Sequence, residues 1–297
     1  MLLKQQEFYA ALTARYPGLV ERIRKLVEES EEAFSGRRDQ SPGFLWEHTV
    51  LVASLAFRLA KTERQDPELA VLTGLFHDAG KFVGGRYHRR ASPEEVEAAR
   101  RARQVLEDMD VPMSAVGHVV RALHSLYTTR GRRNELADIV HDADFLSKFG
   151  LLGVANFFVK STLRGRNLEA SIINYLSKEL TYASALAANM RTESARKLAA
   201  KKSAETLRFY RAFLAELKSA HRLDFRVKTA DVRRGQKRPG RIRILYVTPA
   251  ACASCGGRWE ADFRTEAGLK CEKLEAAVRC GGCGAKHVIS FCLPEIA

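Results

Sequence analysis

From Leu2 to Ala220 the apolar residues recur at three- and four-residue intervals, the spacing of amphipathic helices. Set into that helical pattern are polar residues that packing does not explain. His48 lies in Trp46-Glu47-His48-Thr49-Val50, and a histidine–aspartate pair lies in Phe76-His77-Asp78-Ala79-Gly80-Lys81. Further on comes Val140-His141-Asp142-Ala143-Asp144. Imidazole nitrogens with carboxylate oxygens suit a divalent transition metal or magnesium. A cation of that kind activates water near neutral pH and draws charge off a phosphoryl oxygen.

The helices have local start and stop signals. Leu2 to Arg15 and Pro17 to Phe34 are expected helices, divided at Tyr16-Pro17 because the residue before a proline is pushed out of the helical region. Ser35-Gly36 and Ser41-Pro42-Gly43 mark a loop. The next helix runs from Phe44 to about Lys61, with His48, Val52, Leu55 and Leu59 along one face. Asp66 is placed as an N-cap with Pro67 at the first helical position, and that helix should stop near Gly80. Phe82 to Ala91 reads as a loop, and Ser92 with Glu95 as a capping box opening a helix to about Asp108. Further helices are expected over Pro112 to Leu126, Glu135 to about Lys160 with breaks near Gly150 and Gly153, and Asn167 to Ala220 with a break near Asn189.

The character changes after Leu223. Residues 226–243 hold eight Lys or Arg against the single Asp231, which reads as a linker or short strand with a basic face. The remaining segments look like strands. All six cysteines lie beyond position 250, so they do not form a disulfide scaffold spread through the chain. Cys252-x-x-Cys255 and Cys280-x-x-Cys283, in glycine-rich surroundings, read instead as a structural zinc site of four thiolates. A redox dithiol is the competing reading. Cys271 and Cys292 are left over, and are expected to be buried and unligated.

The formal charge of +14 favours phosphate-rich partners, whether nucleotides or a nucleic-acid backbone. No apolar run reaches the roughly 18 residues of a membrane span, and no secretory signal is visible, so a cytoplasmic location without membrane contact is expected.

The order His48, His77-Asp78, Asp144 resembles the H…HD…D signature of the HD-domain superfamily, over about residues 40 to 160. That resemblance implies an all-helical, metal-dependent phosphohydrolase. Carried onto this chain, it makes His48, His77, Asp78 and Asp144 the metal ligands, with Asp78 also orienting or deprotonating the attacking water. Lys81 would meet a substrate phosphate. Asp142 is the alternative to Asp144: two residues apart on a helix is about 200°, so both cannot face one cation. Asp144 shares its face with His141 and Lys148, whereas Asp142 faces Phe145 and Leu146 and could serve as a cap.

Substrate or second-metal candidates are His124, His118, Arg86, His88 and Lys148, with His118 more simply an ordinary, partly buried histidine. The metal of the His–Asp site would be manganese, iron, magnesium, nickel or cobalt, and the cysteine site would hold structural zinc. The expected architecture is mainly α: N-terminal helices over 1–40, an HD helical bundle over 41–160, and a helical extension over 161–224. A basic linker over 225–245 and a small β zinc ribbon over 246–297 complete it. The expected activity is hydrolysis of a phosphomonoester or phosphodiester, in a nucleotide or a related phosphorylated small molecule. The alternatives are a nuclease or phosphodiesterase, or a non-catalytic nucleic-acid-binding regulator using the basic linker and ribbon.

Overall fold

A computed structural model describes residues 7–35, 43–83, 93–126, 134–221, 223–234, 240–267 and 272–293. It divides into two compact units, Met1–Ser147 with Arg191–Ala195, and Lys148–Met190 with Arg196–Ala297.

The first unit is helical: α1 (Glu7–Arg15), α2 (Leu19–Ser35), α3 (Phe44–Thr62), α4 (Pro67–Phe76), α5 (Glu94–Asp108), α6 (Met113–Ser125) and α7 (Glu135–Ser147). The turn between α1 and α2 passes through Gly18 at φ +83°, a conformation that costs glycine little. The centre of the unit is α4. Asp66 caps it by accepting from the Glu68 and Leu69 amides at 2.8 and 3.1 Å, with Pro67 at its first position. Residues Ala70 through Phe76 are all buried, as befits a helix that is apolar all round.

Helix α3 packs on both α4 and α7. The α3–α4 approach is close at Gly74, where a Cβ would stand 2.9 Å from the Ala53 Cα. The expected stop at Gly80 is corrected: α4 ends at Phe76, and His77 to Lys81 form turns. Gly80 instead admits the start of α5, since a Cβ there would lie 2.1 Å from the Glu94 carbonyl oxygen. Helix α5 starts at Glu94; Ser92 of the expected capping box lies outside the described residues.

The second unit contains α8 (Gly150–Leu163), α9 (Leu168–Ser171), a π-turn (Ile172–Leu176), α10 (Ser177–Ala185), a 3-10 turn (Leu186–Asn189) and the greater part of α11 (Glu193–Ser219). Five strands follow: β1 (Phe225–Arg233) pairs antiparallel with β2 (Arg241–Pro249), while β3 (Trp259–Ala267), β4 (Glu272–Cys280) and β5 (Lys286–Leu293) form an antiparallel meander. Most of residues 225–245, read as a basic linker or a short strand with a basic face, are paired strand. The arginines of the two strands project outward while Val232, Ile242 and Ile244 are buried, the alternation of a strand with one basic face. The hairpin packs at two places. Val232, Ile242, Ile244 and Tyr246 join Leu274, Val278, Ile289 and Phe291 of the meander. Phe225 and Val247 join Tyr210 and Leu214 of α11 and Ile172 and Leu176 of the π-turn. Helices 161–190 and 196–219, expected to extend the HD bundle, therefore share a core with the strands.

The free edge of β2 is covered by hydroxyls from α10. Ser177 accepts from the Val247 amide at 3.0 Å, and Thr181 both accepts from the Leu245 amide at 3.1 Å and donates to its carbonyl at 2.9 Å. Four residues along a helix match two along a strand well enough to satisfy alternate edge groups that would otherwise invite pairing.

Candidate functional site

Four donors converge inside the first unit. His48 comes from the first turns of α3, His77 and Asp78 follow the end of α4, and Asp144 sits in the last turn of α7. The two Nε2 atoms are 3.3 Å apart. Asp78 Oδ2 lies 3.6 Å from each Nε2, and Asp144 Oδ1 lies 3.3 Å from that of His48 and 3.9 Å from that of His77. Donors about 2.1 Å from one shared cation stand from about 3.0 Å apart when adjacent to about 4.2 Å when opposite, so these separations fit a divalent metal. His77, Asp78 and Asp144 are buried and His48 is nearly so.

Both imidazoles are held with Nε2 turned inward. His77 Nδ1 lies 2.7 Å from the Gly74 carbonyl, to which only a protonated nitrogen can donate; this leaves Nε2 as the lone-pair donor. His48 Nδ1 lies 3.4 Å from Ser147 Oγ, whose own proton goes to the Asp144 carbonyl at 2.7 Å. The hydroxyl can therefore accept from His48 Nδ1–H, and the two Nε2 lone pairs face one point. Two lone pairs 3.3 Å apart repel unless a proton or a cation lies between them, a second sign that the set is built to hold one.

The electrostatics keep the donors in their ligating forms. Burial pushes the His48 pKa down, against the opposing pull of Asp144 and Asp78, so the ring is neutral near pH 7. Burial would push the Asp78 carboxyl up, but Lys81, His77 and His48 outweigh it and hold it well below the usual carboxylate range. Lys81 Nζ donates to Asp78 Oδ2 at 2.6 Å.

The two aspartates of α7 have separate tasks. Asp142 has no exposed surface and accepts from the Arg191 amide, the Thr192 amide at 2.7 Å and the Thr192 hydroxyl at 2.8 Å. It fastens the chain just before α11 to the first unit, and His141 Nδ1 lies 3.0 Å from it. Asp144 alone of the pair joins the donor cluster. Sequence reasoning missed Ser147 and the Gly74 carbonyl; a serine one turn after a ligating aspartate carries no pattern that marks it.

The remaining candidates stand apart. His118, expected to be partly buried, is exposed on α6, with Nδ1 2.7 Å from the Ser114 carbonyl. The helix turns that side to solvent while Val116, Val119 and Val120 face the core. His124 is exposed near the end of the same helix and belongs to neither donor cluster among the described residues. Lys148 is exposed and belongs to the second unit. Arg86 and His88 lie outside the described residues.

The second cluster is Cys252, Cys255, Cys280 and Cys283, whose sulfurs all lie within 4.8 Å of one another. The two knuckles are alike. In each, the first cysteine carbonyl accepts from the amide four residues on (Gly256, 2.8 Å; Gly284, 3.0 Å), and that glycine has φ of +70° or +74°. A Cβ on Gly257 would stand 2.8 Å from Cys280 Sγ and 3.1 Å from Cys255 Sγ, so glycine leaves the cradle open. Hydrogen bonding from the Ser254 amide, with neighbouring thiols, holds Cys252 down to about 6. Although the Gly257 amide favours a Cys255 thiolate, the Cys280 and Cys283 sulfurs push it up to about 12. Four thiols this close cannot all ionise alone, and a divalent cation among them removes that conflict. Cys292, expected to be buried, is exposed because it falls on the outward register of β5 between buried Phe291 and Leu293; Cys271 lies outside the described residues.

Residues 45–148 match the HD domain family. No curated protein matches the chain. Among solved structures, the chain is similar to Bacillus subtilis YpgQ in complex with ADP, at 20% identity and a TM-score of 0.48, covering 67% of this chain and 94% of that one. It is also similar to a predicted HD superfamily hydrolase from an uncultured Thermotogales bacterium, at 23% identity and a TM-score of 0.48, covering 69% and 97%. A third is an HD-superfamily hydrolase from Bacillus thuringiensis, at 19% identity and a TM-score of 0.47, covering 68% and 99%. These likenesses are too distant to carry a function, and the domain match and the donor geometry carry the assignment. With His48, His77, Asp78 and Asp144 positioned to bind a metal inside the matched segment, the chain carries an HD domain over residues 45–148.

Proposed function

We propose that the protein is a metal-dependent phosphohydrolase acting on a phosphomonoester or phosphodiester of a nucleotide or a related phosphorylated small molecule. The observation that carries this reading is the meeting of His48, His77, Asp78 and Asp144 around one point, with Lys81 paired to Asp78 at 2.6 Å. A divalent cation bound there supplies Lewis acidity, acidifying water and drawing charge from a phosphoryl oxygen. His48 and His77 would hold it through their Nε2 atoms, with Gly74 and Ser147 fixing the ring orientations. Asp144 supplies a second negative charge. Asp78 is the catalytic carboxylate: one oxygen is a ligand, and the group stays ionised and can orient water or take its proton. Lys81 neutralises Asp78 and gives a point charge that can move to a substrate phosphate. The four-cysteine cluster has no open position and is assigned to structural zinc.

One observation favours a second reading, a nucleic-acid substrate or partner. Arg233 and Arg241 stand directly opposite each other across β1 and β2, both exposed. Like charges so placed cost stability, which an anionic backbone would offset.

The test is an initial-rate screen of the zinc-loaded protein against nucleoside phosphates and phosphodiesters with Mn, Fe, Mg, Ni or Co. The expected result is turnover that falls by about 100-fold or more in Asp78→Ala. No turnover with any pair, together with salt-dependent retention on RNA or DNA, would replace the first reading with the second.

A further inference from the structure

We propose that the groove between α2 and α5 binds a phosphorylated small molecule through Arg101, at a place lined by none of the four metal donors. The groove has a volume of about 590 Å³, within the range of small-molecule sites. Arg22, Lys25, Arg100 and Arg101 line it, with Glu29 the single carboxylate in the lining. Leu26, Phe82 and Val105 give it apolar surface, and the Phe82 ring is fixed by stacking on Phe34 at 4.4 Å.

Arg101 is the decisive side chain. It is half-buried, and its Nη1 donates to Ser30 Oγ at 2.9 Å. Ser30 has its own proton committed to the Leu26 carbonyl at 2.8 Å, so it serves Arg101 purely as an acceptor. Among the described residues no carboxylate lies within ion-pair distance of Arg101. Glu97 is engaged by Arg100 at 3.0 Å, and Glu29 lies 3.8 Å from Lys25. A guanidinium carries five N–H donors in a planar fork. Among the described residues one of them is used, by a neutral hydroxyl; burial and the neighbouring Arg100 charge work against the cation, and the Glu97 and Glu29 charges, neither within ion-pair distance, act the other way. Retaining a half-buried guanidinium with no ion pair among the described residues costs stability that an incoming anion would return. A phosphate accepts two parallel N–H bonds from that fork; Arg22, Lys25 and Arg100 stand nearby, paired with Asp108, Glu29 and Glu97, and each guanidinium keeps further N–H donors. The apolar wall beside them suits an organic substituent on the phosphate. Nothing in this proposal depends on the reaction at His48 and Asp78.

The test is calorimetric titration of the metal-loaded, full-length protein with phenylphosphonate, whose P–C bond is not a phosphoester, and with inorganic phosphate. Phenylphosphonate is expected to bind more tightly than phosphate. Its Kd is expected to rise roughly tenfold or more in Arg101→Gln, to take an intermediate value in Arg101→Lys, and to be unchanged in Asp144→Asn. Thermal melting of each variant checks that it is folded, and the lysine variant keeps the test valid should the glutamine variant fail to fold. Equal affinity in wild type and in folded Arg101 variants would overturn the proposal, as would loss of the isotherm in Asp144→Asn or the absence of any binding.

Discussion

Ser147 joins two of the four donors: its hydroxyl stands 3.4 Å from His48 Nδ1 and donates to the Asp144 carbonyl at 2.7 Å. One side chain thus sets the ring orientation of one ligand and reads the position of the helix turn that carries another. Outer contacts of this kind are worth about 10- to 100-fold in metal affinity or activity. Ser147→Ala should therefore weaken manganese binding by about that factor and change the thermal midpoint little. Manganese titration and melting of the same samples check both halves.

Asp142, on the opposite side of α7 from Asp144, should behave oppositely. Its carboxylate accepts from two amides and a hydroxyl without any exposed surface. Leaving those buried donors unmet costs about 1–3 kcal/mol each, so Asp142→Ala should lose about 3 kcal/mol or more. Urea unfolding measures the loss, and a stability equal to wild type would remove Asp142 from this role.

The sequence carried the site further than the fold. Residue types and order, read through the resemblance to the HD-domain superfamily, picked out His48, His77, Asp78 and Asp144; few roles other than ligation bring imidazoles and carboxylates into apolar helical faces. The separation of about 200° showed only that one of Asp142 and Asp144 could face the cation; the more polar face of Asp144 and the family pattern favoured it. The hairpin was legible in part: Ile242 to Val247 reads as a strand, and β1 reads as either a linker or a short basic-faced strand. In Arg226 to Arg234 the charges dominate the composition, and the buried Val232 shows its role only against a second sheet. Gly80 was legible as a glycine position but not for its reason, because the close approach of the Glu94 carbonyl is a tertiary fact. Ser147 left no local signal at all.

Acid should weaken the first unit through His48. Burial lowers its folded pKa, so the unfolded chain binds the proton more readily. The stability this ring contributes is full above the unfolded value of about 6.5 and is lost as pH falls below it. Unfolding midpoints measured from about pH 8 down to about pH 5 should decline, and His48→Gln should flatten that decline. An identical slope in the variant would show that the titration belongs elsewhere.

Gly257 should be intolerant of any side chain while zinc is bound. A Cβ there would meet Cys280 Sγ at 2.8 Å and Cys255 Sγ at 3.1 Å. Gly257→Ala should therefore release zinc to a chelator faster than wild type and lose the Trp259 near-UV signal with it. Gly284→Ala, with open space at the Cβ position but φ of +74°, should show a smaller effect of about 1 kcal/mol. Metal release followed by absorbance, with circular dichroism in parallel, separates the two.

The central claim, that four side chains from α3, α7 and the turn after α4 hold one cation, is tested most directly by electron paramagnetic resonance titration of the zinc-loaded protein with Mn²⁺. Wild type and Asp142→Asn should each bind one manganese tightly, and Asp144→Asn should bind it at least about tenfold more weakly. Manganese binding in Asp144→Asn equal to that of wild type would contradict the account.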